Sequence, residues 1–306
     1  MPNLKDIKTR INSVKNTQKI TRAMKMVAAA KVKKAEYTVK ASRPFSSELL
    51  IMFKRMLATI GEKSEFQDSG EKYENAINNY PALLTRRDVK TEGIIVITSN
   101  KGLAGAYNAN IVRAVLKRVE DNSEKGIETK LYVIGQKGVS ALQHQKGTNI
   151  VKKYIAVMDN PNSSGANIIA EDIAKDYVNG EIDKIEVITT RFNNMMSYSV
   201  QHWELLPVEI EYNEEEHKLD ALMEFVPNPK AILKEIVPMY ITNEIFQAIL
   251  EAYASELASR MTAMSAASNN AEEMINELTV AYNKARQSAI TNEIIEIVSG
   301  AAALEG

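Results

Sequence analysis

Residues 239–299 read MYITNEIFQAILEAYASELASRMTAMSAASNNAEEMINELTVAYNKARQSAITNEIIEIVS, 61 consecutive residues without a proline or a glycine. Pro238 stands just before the stretch and Gly300 just after it. Helices favour proline at their entry and glycine at their exit, so the stretch predicts one uninterrupted helix. At about 1.5 Å per residue it would be roughly 90 Å long, more than twice the width of a small domain. A compact enzyme has no use for such a rod, whereas a shaft does. Along it, Phe246, Leu250, Tyr253, Leu257, Met264, Ala271, Leu278, Tyr282, Ala285 and Ala289 recur at spacings of 3, 4 and 7. That is a coiled-coil seam, interrupted by small and polar residues from Ala266 to Asn270.

A second helical pattern opens the chain. Leu4, Ile7, Ile11 and Val14 are spaced by 3, 4 and 3, a helix seam that then skips and resumes at Ile20, Met24 and Val27 before Ala28, Ala29 and Ala30. The pattern predicts a long helix to about Ser42, with Pro44 either kinking it or opening its continuation. Residues 1–60 are therefore read as an N-terminal coiled-coil helix. Residues 61–87 are polar, contain Asp68-Ser69-Gly70 and Tyr80-Pro81, and read as a linker.

The middle of the chain changes period. Gly93 to Thr98, Lys130 to Gly135 and Lys184 to Thr189 are continuous apolar strands, and helical patterns occupy Tyr107 to Val119, Val139 to Gln145 and Ala166 to Val178. Strands alternating with helices imply crossovers and a mainly parallel, Rossmann-like sheet. Ser197 to Leu206 reads as an extra edge strand. Residues 208–230, with Glu214-Glu215-Glu216 and Pro227-Asn228-Pro229, read as a loop or hairpin that completes an α/β domain over 88–230. The C-terminal helix takes 231–306.

Charge links the two ends. Residues 1–40 hold eleven Lys and Arg against Asp6 and Glu36, and residues 210–306 hold sixteen acids against six bases. The economical fold is α/β with the terminal helices paired as a long antiparallel coiled coil, basic helix against acidic, and the α/β domain inserted between them. The last helix is the longer, so its tip is expected to project alone.

Composition removes several chemistries. No cysteine is present among the 306 residues, which excludes disulfides, thiol catalysis and cysteine-ligated metals. His144, His202 and His217 are scattered without ligand-like spacing, so no metal is expected. No apolar run approaches the ~18 residues that signal a membrane span, and the N-terminus lacks the apolar core of a signal peptide. A phosphate loop of either common kind is missing. Lys101-Gly102-Leu103-Ala104-Gly105 follows a strand and precedes a helix, where it could cradle a phosphate or form a tight turn that glycines permit. Ser99 and Ser197 lack a histidine in any nucleophile pattern, so no catalytic residue and no cofactor are expected. The basic first helix leaves three readings open: nucleic acid, for which stacking aromatics are nearly absent; an acidic membrane surface; or acidic protein.

Three stretches carry a family resemblance: INSVKNTQKITRAMKMVAAAKVKKA at 11–35, TSNKGLAGAYN at 98–108, and SELASRMTAMSAASNNAEEMINELTVAYNKARQSAITNEIIEIVSGAAA at 255–303. In this order they resemble the gamma subunits of F-type ATP synthases, the rotor shafts of the catalytic head. Two positions depart from the family pattern, which usually has aspartate where this chain has Asn100 and commonly cysteine where it has Ala104. A chain without cysteine is also expected to lack the thiol switch of chloroplast members, which points to a bacterial type.

The resemblance implies one copy of the shaft inside a ring of three alpha and three beta subunits. It also implies an α/β foot on the c-ring beside the epsilon subunit, and a peripheral location on the cytoplasmic face of a bacterial plasma membrane. Nucleic acid and a membrane span are not expected. Ion-driven rotation would cycle the beta subunits, where the chemistry occurs. By position, Arg286, Gln287 and Thr291 match residues that hydrogen-bond beta in selected states. Met24 and Lys25 match the position near the acidic lever of beta, and Lys101 matches a basic residue reaching the same region. Ile294, Ile295, Ile297, Val298 and Ala301 to Leu304 fit an apolar, weakly bonded tip. Rival readings are a self-dimerising coiled-coil scaffold, opposed by the broken seam, and a nucleotide-using α/β enzyme, opposed by the missing phosphate loop.

Overall fold

A computed structural model describes residues 4–60, 75–207 and 229–305. The elements in chain order are α1 (Leu4–Ile60), α2 (Tyr80–Leu84), β1 (Thr91–Ile97), α3 (Tyr107–Glu124), β2 (Glu128–Ile134), α4 (Gln136–Leu142), β3 (Ile150–Tyr154), α5 (Ser163–Val178), β4 (Lys184–Asn194), β5 (Ser197–Leu206) and α6 (Pro229–Glu305). They form two compact units: Met1–Ala30 with Arg260–Gly306, and Lys31–Ser259.

The smaller unit is an antiparallel pair made from the start of α1 and the end of α6. On α6 every residue of the expected seam in this unit is buried or half-buried, from Met264 and Ala271 to Ala289. Half-buried Ser268 and Ile275 fill the gap, so Met264, Ser268, Ala271, Ile275, Leu278, Tyr282, Ala285 and Ala289 keep a strict heptad spacing. A small serine keeps the period that a search for large apolar residues loses.

The α1 seam corrects the sequence reading. It does not skip to Ile20 and Val27, which are 60% and 58% exposed, but runs through half-buried Gln18 and buried Thr21 to Met24 and Ala28. The Thr21 hydroxyl donates to the Gln18 carbonyl at 3.0 Å, and this local bond lets a polar residue sit in the seam.

Helix punctuation is corrected as well. Helix α6 begins at Pro229 and passes through both Pro238 and Gly300, whereas α1 continues past Pro44 to Ile60, within the bounds expected for it. An internal proline forfeits one backbone bond. Burial of Leu233, Ile236, Val237 and Ile241 around Pro238, and of Val39, Leu49 and Phe53 around Pro44, offsets that loss. Gly300 precedes three alanines, and the ~1 kcal/mol that glycine costs is too little to stop such a run.

In the larger unit the sheet order is β3-β2-β1-β4-β5. The first four strands pair in parallel and β5 pairs antiparallel to β4. Side chains alternate across it. Ile94, Val96, Leu131, Val133 and Ile188 pack under Tyr107, Ile111 and Val115 of α3 and Val139 and Leu142 of α4. Ile95, Ile97, Tyr132, Ile134, Ile185 and Val187 face α5, the α1 residues Leu49, Phe53 and Met56, and the α6 residues Leu233 to Ala252. Phe53 and Tyr240 stack at 5.1 Å between ring centroids.

Two elements here were not foreseen. Strand β3 is a half-buried edge whose alternation is carried by only five residues, two of them lysines. In the stretch read as linker, Ile77, Tyr80 and Leu83 belong to the core, and the Tyr177 hydroxyl donates to the Thr85 carbonyl at 3.0 Å. Residues 61–74 of that stretch lie outside the described residues, as do 208–228 of the expected loop or hairpin.

Candidate functional site

The TSNKGLAGAYN turn is built where β1 ends. Thr98 is buried, its hydroxyl donating to the Ile134 carbonyl at 2.9 Å and accepting from the Gly138 N–H at 2.8 Å. A Cβ on Gly138 would lie 2.6 Å from Thr98 Oγ1, so glycine is what lets α4 approach β1. Ser99 donates its N–H to Asn108 Oδ1 at 3.0 Å and its hydroxyl to the Lys101 carbonyl at 2.8 Å. The Asn108 amide returns a bond to Ser99 Oγ at 2.8 Å. These groups bind one another and set the geometry of the turn.

Asn100 ties three strand ends together. Its Oδ1 accepts from the Gln136 N–H at 3.0 Å and its Nδ2 donates to the Ile155 carbonyl at 2.9 Å. An aspartate could accept the first bond but not donate the second. Leu103 stands in the left-handed region at φ 63° and is 63% exposed, beside exposed Lys101. Hydrogen bonds fasten the turn to α6. The Tyr107 hydroxyl donates to the Ala252 carbonyl at 3.1 Å, and the Ser259 hydroxyl donates to the Ala104 carbonyl at 2.6 Å.

The other expected contact residues lie in the smaller unit. Met24 is half-buried on the seam and Lys25 is exposed. Arg286, Gln287 and Thr291 are exposed on α6, and the Thr291 hydroxyl donates to the Gln287 carbonyl at 2.9 Å. Gln287, Thr291, Ile294 and Val298 share one helix face, being spaced by 4, 3 and 4. Every side chain from Ile290 to Ala301 is exposed. Ile294 and Ile295 reach 55%, Ile297 71% and Val298 61%. This is an exposed apolar surface concentrated on one helix. The side chains of Ala302 to Leu304 lie outside the described ones.

Sequence reading missed the buried charges of the larger unit. Glu92 on β1 and Glu186 on β4 share Arg118 of α3. The guanidinium donates to Glu92 at 3.0 and 2.6 Å and holds Glu186 Oε2 at 3.0 Å as an ion pair. That contact lacks hydrogen-bond geometry, which leaves Glu186 Oε2 without a hydrogen bond. The Asn122 amide adds bonds to Glu92 and to Thr129, and His202 Nδ1 lies 3.2 Å from Glu186 Oε1. Burial lifts the Glu186 carboxyl above its ordinary range against the pull of Arg118. On the opposite face, Arg43 of α1 meets Glu251 of α6. Glu251 sits in the apolar run Ile249-Leu250-Glu251-Ala252, and a lone acid there was the available signal.

Glu244 lines a cleft of about 570 Å³ with Arg43, Leu50, Arg191, Trp203 and Gln247, and burial pushes its carboxyl up to about 7. Among the described residues no cluster of three or more His, Asp or Glu is arranged to hold a metal ion. No helix among them is long and apolar enough to cross a membrane.

The class of fold is a pair of long antiparallel terminal helices with an α/β unit inserted between them in the chain. The chain belongs to the ATP synthase family, whose profile matches residues 3–304. It is 39% identical over 307 residues to the ATP synthase gamma chain of Halothermothrix orenii, covering 100% of each. To the gamma chain of a Picosynechococcus species it is 38% identical over 329 residues, covering 99% of this chain and 100% of the relative. Among solved structures it is similar to a chain of the central stalk and c-ring of Tetrahymena thermophila mitochondrial ATP synthase. The TM-score is 0.58 at 26% identity, over 81% of this chain and 99% of that one. A chain of the Euglena gracilis mitochondrial ATP synthase shares the fold, with a TM-score of 0.65 at 17% identity over 98% and 94%.

Proposed function

We propose that this chain is the central rotating shaft of an F1Fo ATP synthase, coupling ion-driven rotation of a c-ring to conformational cycling of catalytic beta subunits. The observation that carries this reading is the end of α6. Polar Arg286, Gln287 and Thr291 give way to aliphatic residues that are 55% exposed or more at Ile294, Ile295, Ile297 and Val298. An apolar tip can turn inside an apolar sleeve because dispersion contacts have no preferred direction. The polar residues below it are suited to a few bonds made only at certain angles.

One copy stands within three alpha and three beta subunits. Met24, Lys25, Lys101, Arg286, Gln287, Thr291, Ile294, Ile297 and Val298 contact that ring, and beta carries the chemistry. The α/β unit meets the c-ring and the epsilon subunit, and the complex sits on the cytoplasmic face of a bacterial plasma membrane. Native mass spectrometry of this chain co-expressed with the alpha and beta subunits of its own organism tests the reading. The expected product holds three alpha, three beta and one copy of this chain, and hydrolyses ATP faster than alpha and beta alone. A homodimer indifferent to alpha and beta overturns the reading in favour of a scaffold.

A further inference from the structure

Strand β4 outruns its parallel neighbour. Pairing with β1 extends from Glu92–Lys184 to Val96–Ile188, and β1 ends at Ile97, whereas β4 continues to Asn194 with β5 alone beside it. Backbone groups on the abandoned side of β4 need other partners. At Phe192 two helices supply them. Its N–H donates to Glu251 Oε2 at 2.8 Å, and its carbonyl accepts from Arg43 Nη2 at 2.7 Å. A neighbouring strand would offer one acceptor and one donor at this place. The carboxylate of α6 and the guanidinium of α1 offer the same pair.

The two side chains also hold each other. Arg43 donates from Nε to Glu251 Oε1 at 2.7 Å and from Nη2 to Oε2 at 2.9 Å. The Gln247 amide adds a bond to Oε1 at 3.1 Å, and the Ser42 hydroxyl donates to Gln247 Oε1 at 2.6 Å. Glu251 is 2% exposed and each of its oxygens accepts two bonds, so the carboxylate is saturated.

Most of what joins α1 and α6 to the sheet is apolar packing, which resists separation but has no preferred direction. Charge-assisted bidentate bonds do, because they weaken steeply when distance or angle changes. We infer that Arg43 and Glu251 are the positioning residues of the joint that passes torque between the sheet and the two helices of the shaft. They do so by fixing the roll of both helices against Phe192. From this joint α1 continues unbroken back to Leu4 and α6 forward to Glu305. The inference rests on the shaft reading above.

The test uses F1Fo complexes assembled from the subunits of the source organism, comparing ATP-driven ion pumping with ATP hydrolysis per complex. The double variant Arg43→Met with Glu251→Leu removes direction while keeping volume. Apolar replacement of a buried ion pair is often tolerated, but here it also takes from the Phe192 N–H and carbonyl the partners they have in the wild type, so a lower stability is expected. The variant is expected to assemble and to keep at least half of the hydrolysis rate while pumping at least threefold less per ATP. Arg43→Lys, whose single ammonium cannot hold the carboxylate in a fork and the Phe192 carbonyl together, is expected to halve the ratio. Glu251→Gln, which can still accept from Phe192, is expected to retain more than half of it. A wild-type ratio in the double variant, or in Arg43→Lys should the double variant not assemble, overturns the inference and reduces the pair to a folding contact. A wild-type chain that neither assembles nor pumps overturns the shaft reading itself.

Discussion

Ser259 on α6 donates its hydroxyl to the carbonyl of Ala104 at 2.6 Å, fastening the turn after β1 to the last residue of α6 that belongs to the larger unit. Ser259→Ala deletes that donor and leaves the carbonyl of buried Ala104 with the Tyr107 N–H as its backbone partner. A loss of about 1 kcal/mol is expected, read as a lower urea midpoint of the isolated chain. Tyr107→Phe, which removes the bond to Ala252, should cost a similar amount. An unchanged midpoint in both variants would mean that packing alone seats the turn.

Asn100→Asp installs the residue that the family resemblance calls usual, yet it should destabilise this chain. The carboxylate can still accept from Gln136 N–H but faces the Ile155 carbonyl with no proton to give. The bonds are exposed, so the expected cost is about 1 kcal/mol or less. Hydrogen exchange at Gln136 and calorimetric melting would measure it. A melting temperature equal to or above that of the parent chain would contradict the bridging role.

Glu244 gives stability a definite pH dependence. Its folded pKa of about 7 lies above the ordinary value of 4.5, and burial is the cause. The fold therefore binds the proton more tightly than the unfolded chain does, and this group weakens the fold as pH rises from about 4.5 to about 7. Above that window the penalty is constant. Glu244→Gln should be the more stable protein at pH 8, by ~1–3 kcal/mol, and equal to the parent below about pH 4, under the whole window. Urea titrations at the two pH values decide it, and a gap that persists at the lower pH would assign the gain to something other than the charge.

The tip separates folding from assembly. Ile297 is 71% exposed, so Ile297→Asp should change the stability of the isolated chain by no more than ~0.5 kcal/mol, while lowering the yield of complex with alpha and beta. Arg286→Ala with Gln287→Ala should leave assembly and nucleotide binding by beta in place and slow turnover several-fold. Normal turnover in that complex would show the polar contacts to be dispensable.

The helices were legible because their signal is local. A seam repeats every three or four residues, and all ten apolar positions read along the rod, from Phe246 to Ala289, are buried or half-buried. Where the reading slipped, a polar residue had taken an apolar place. Thr21 satisfies its hydroxyl on Gln18 one turn back and can be buried, while Ile20 and Val27 point outward. Strand β3 escaped for the opposite reason, being a short edge on which Lys152 and Lys153 hide the alternation.

Periodicity, charge balance and three ordered motifs thus determined by themselves the two-helix shaft with an inserted parallel α/β unit, and the family to which it belongs. Tertiary structure alone decided that α6 runs through Pro238, because burial summed over many residues outweighs one missing bond, whereas at Gly300, among exposed residues, the alanines that follow outweigh the small cost of one glycine. Only it could join Arg43 to Glu251 across 208 positions of chain, and both to the backbone of Phe192. Such bonds depend on where distant elements meet in space, and no period along the chain encodes that.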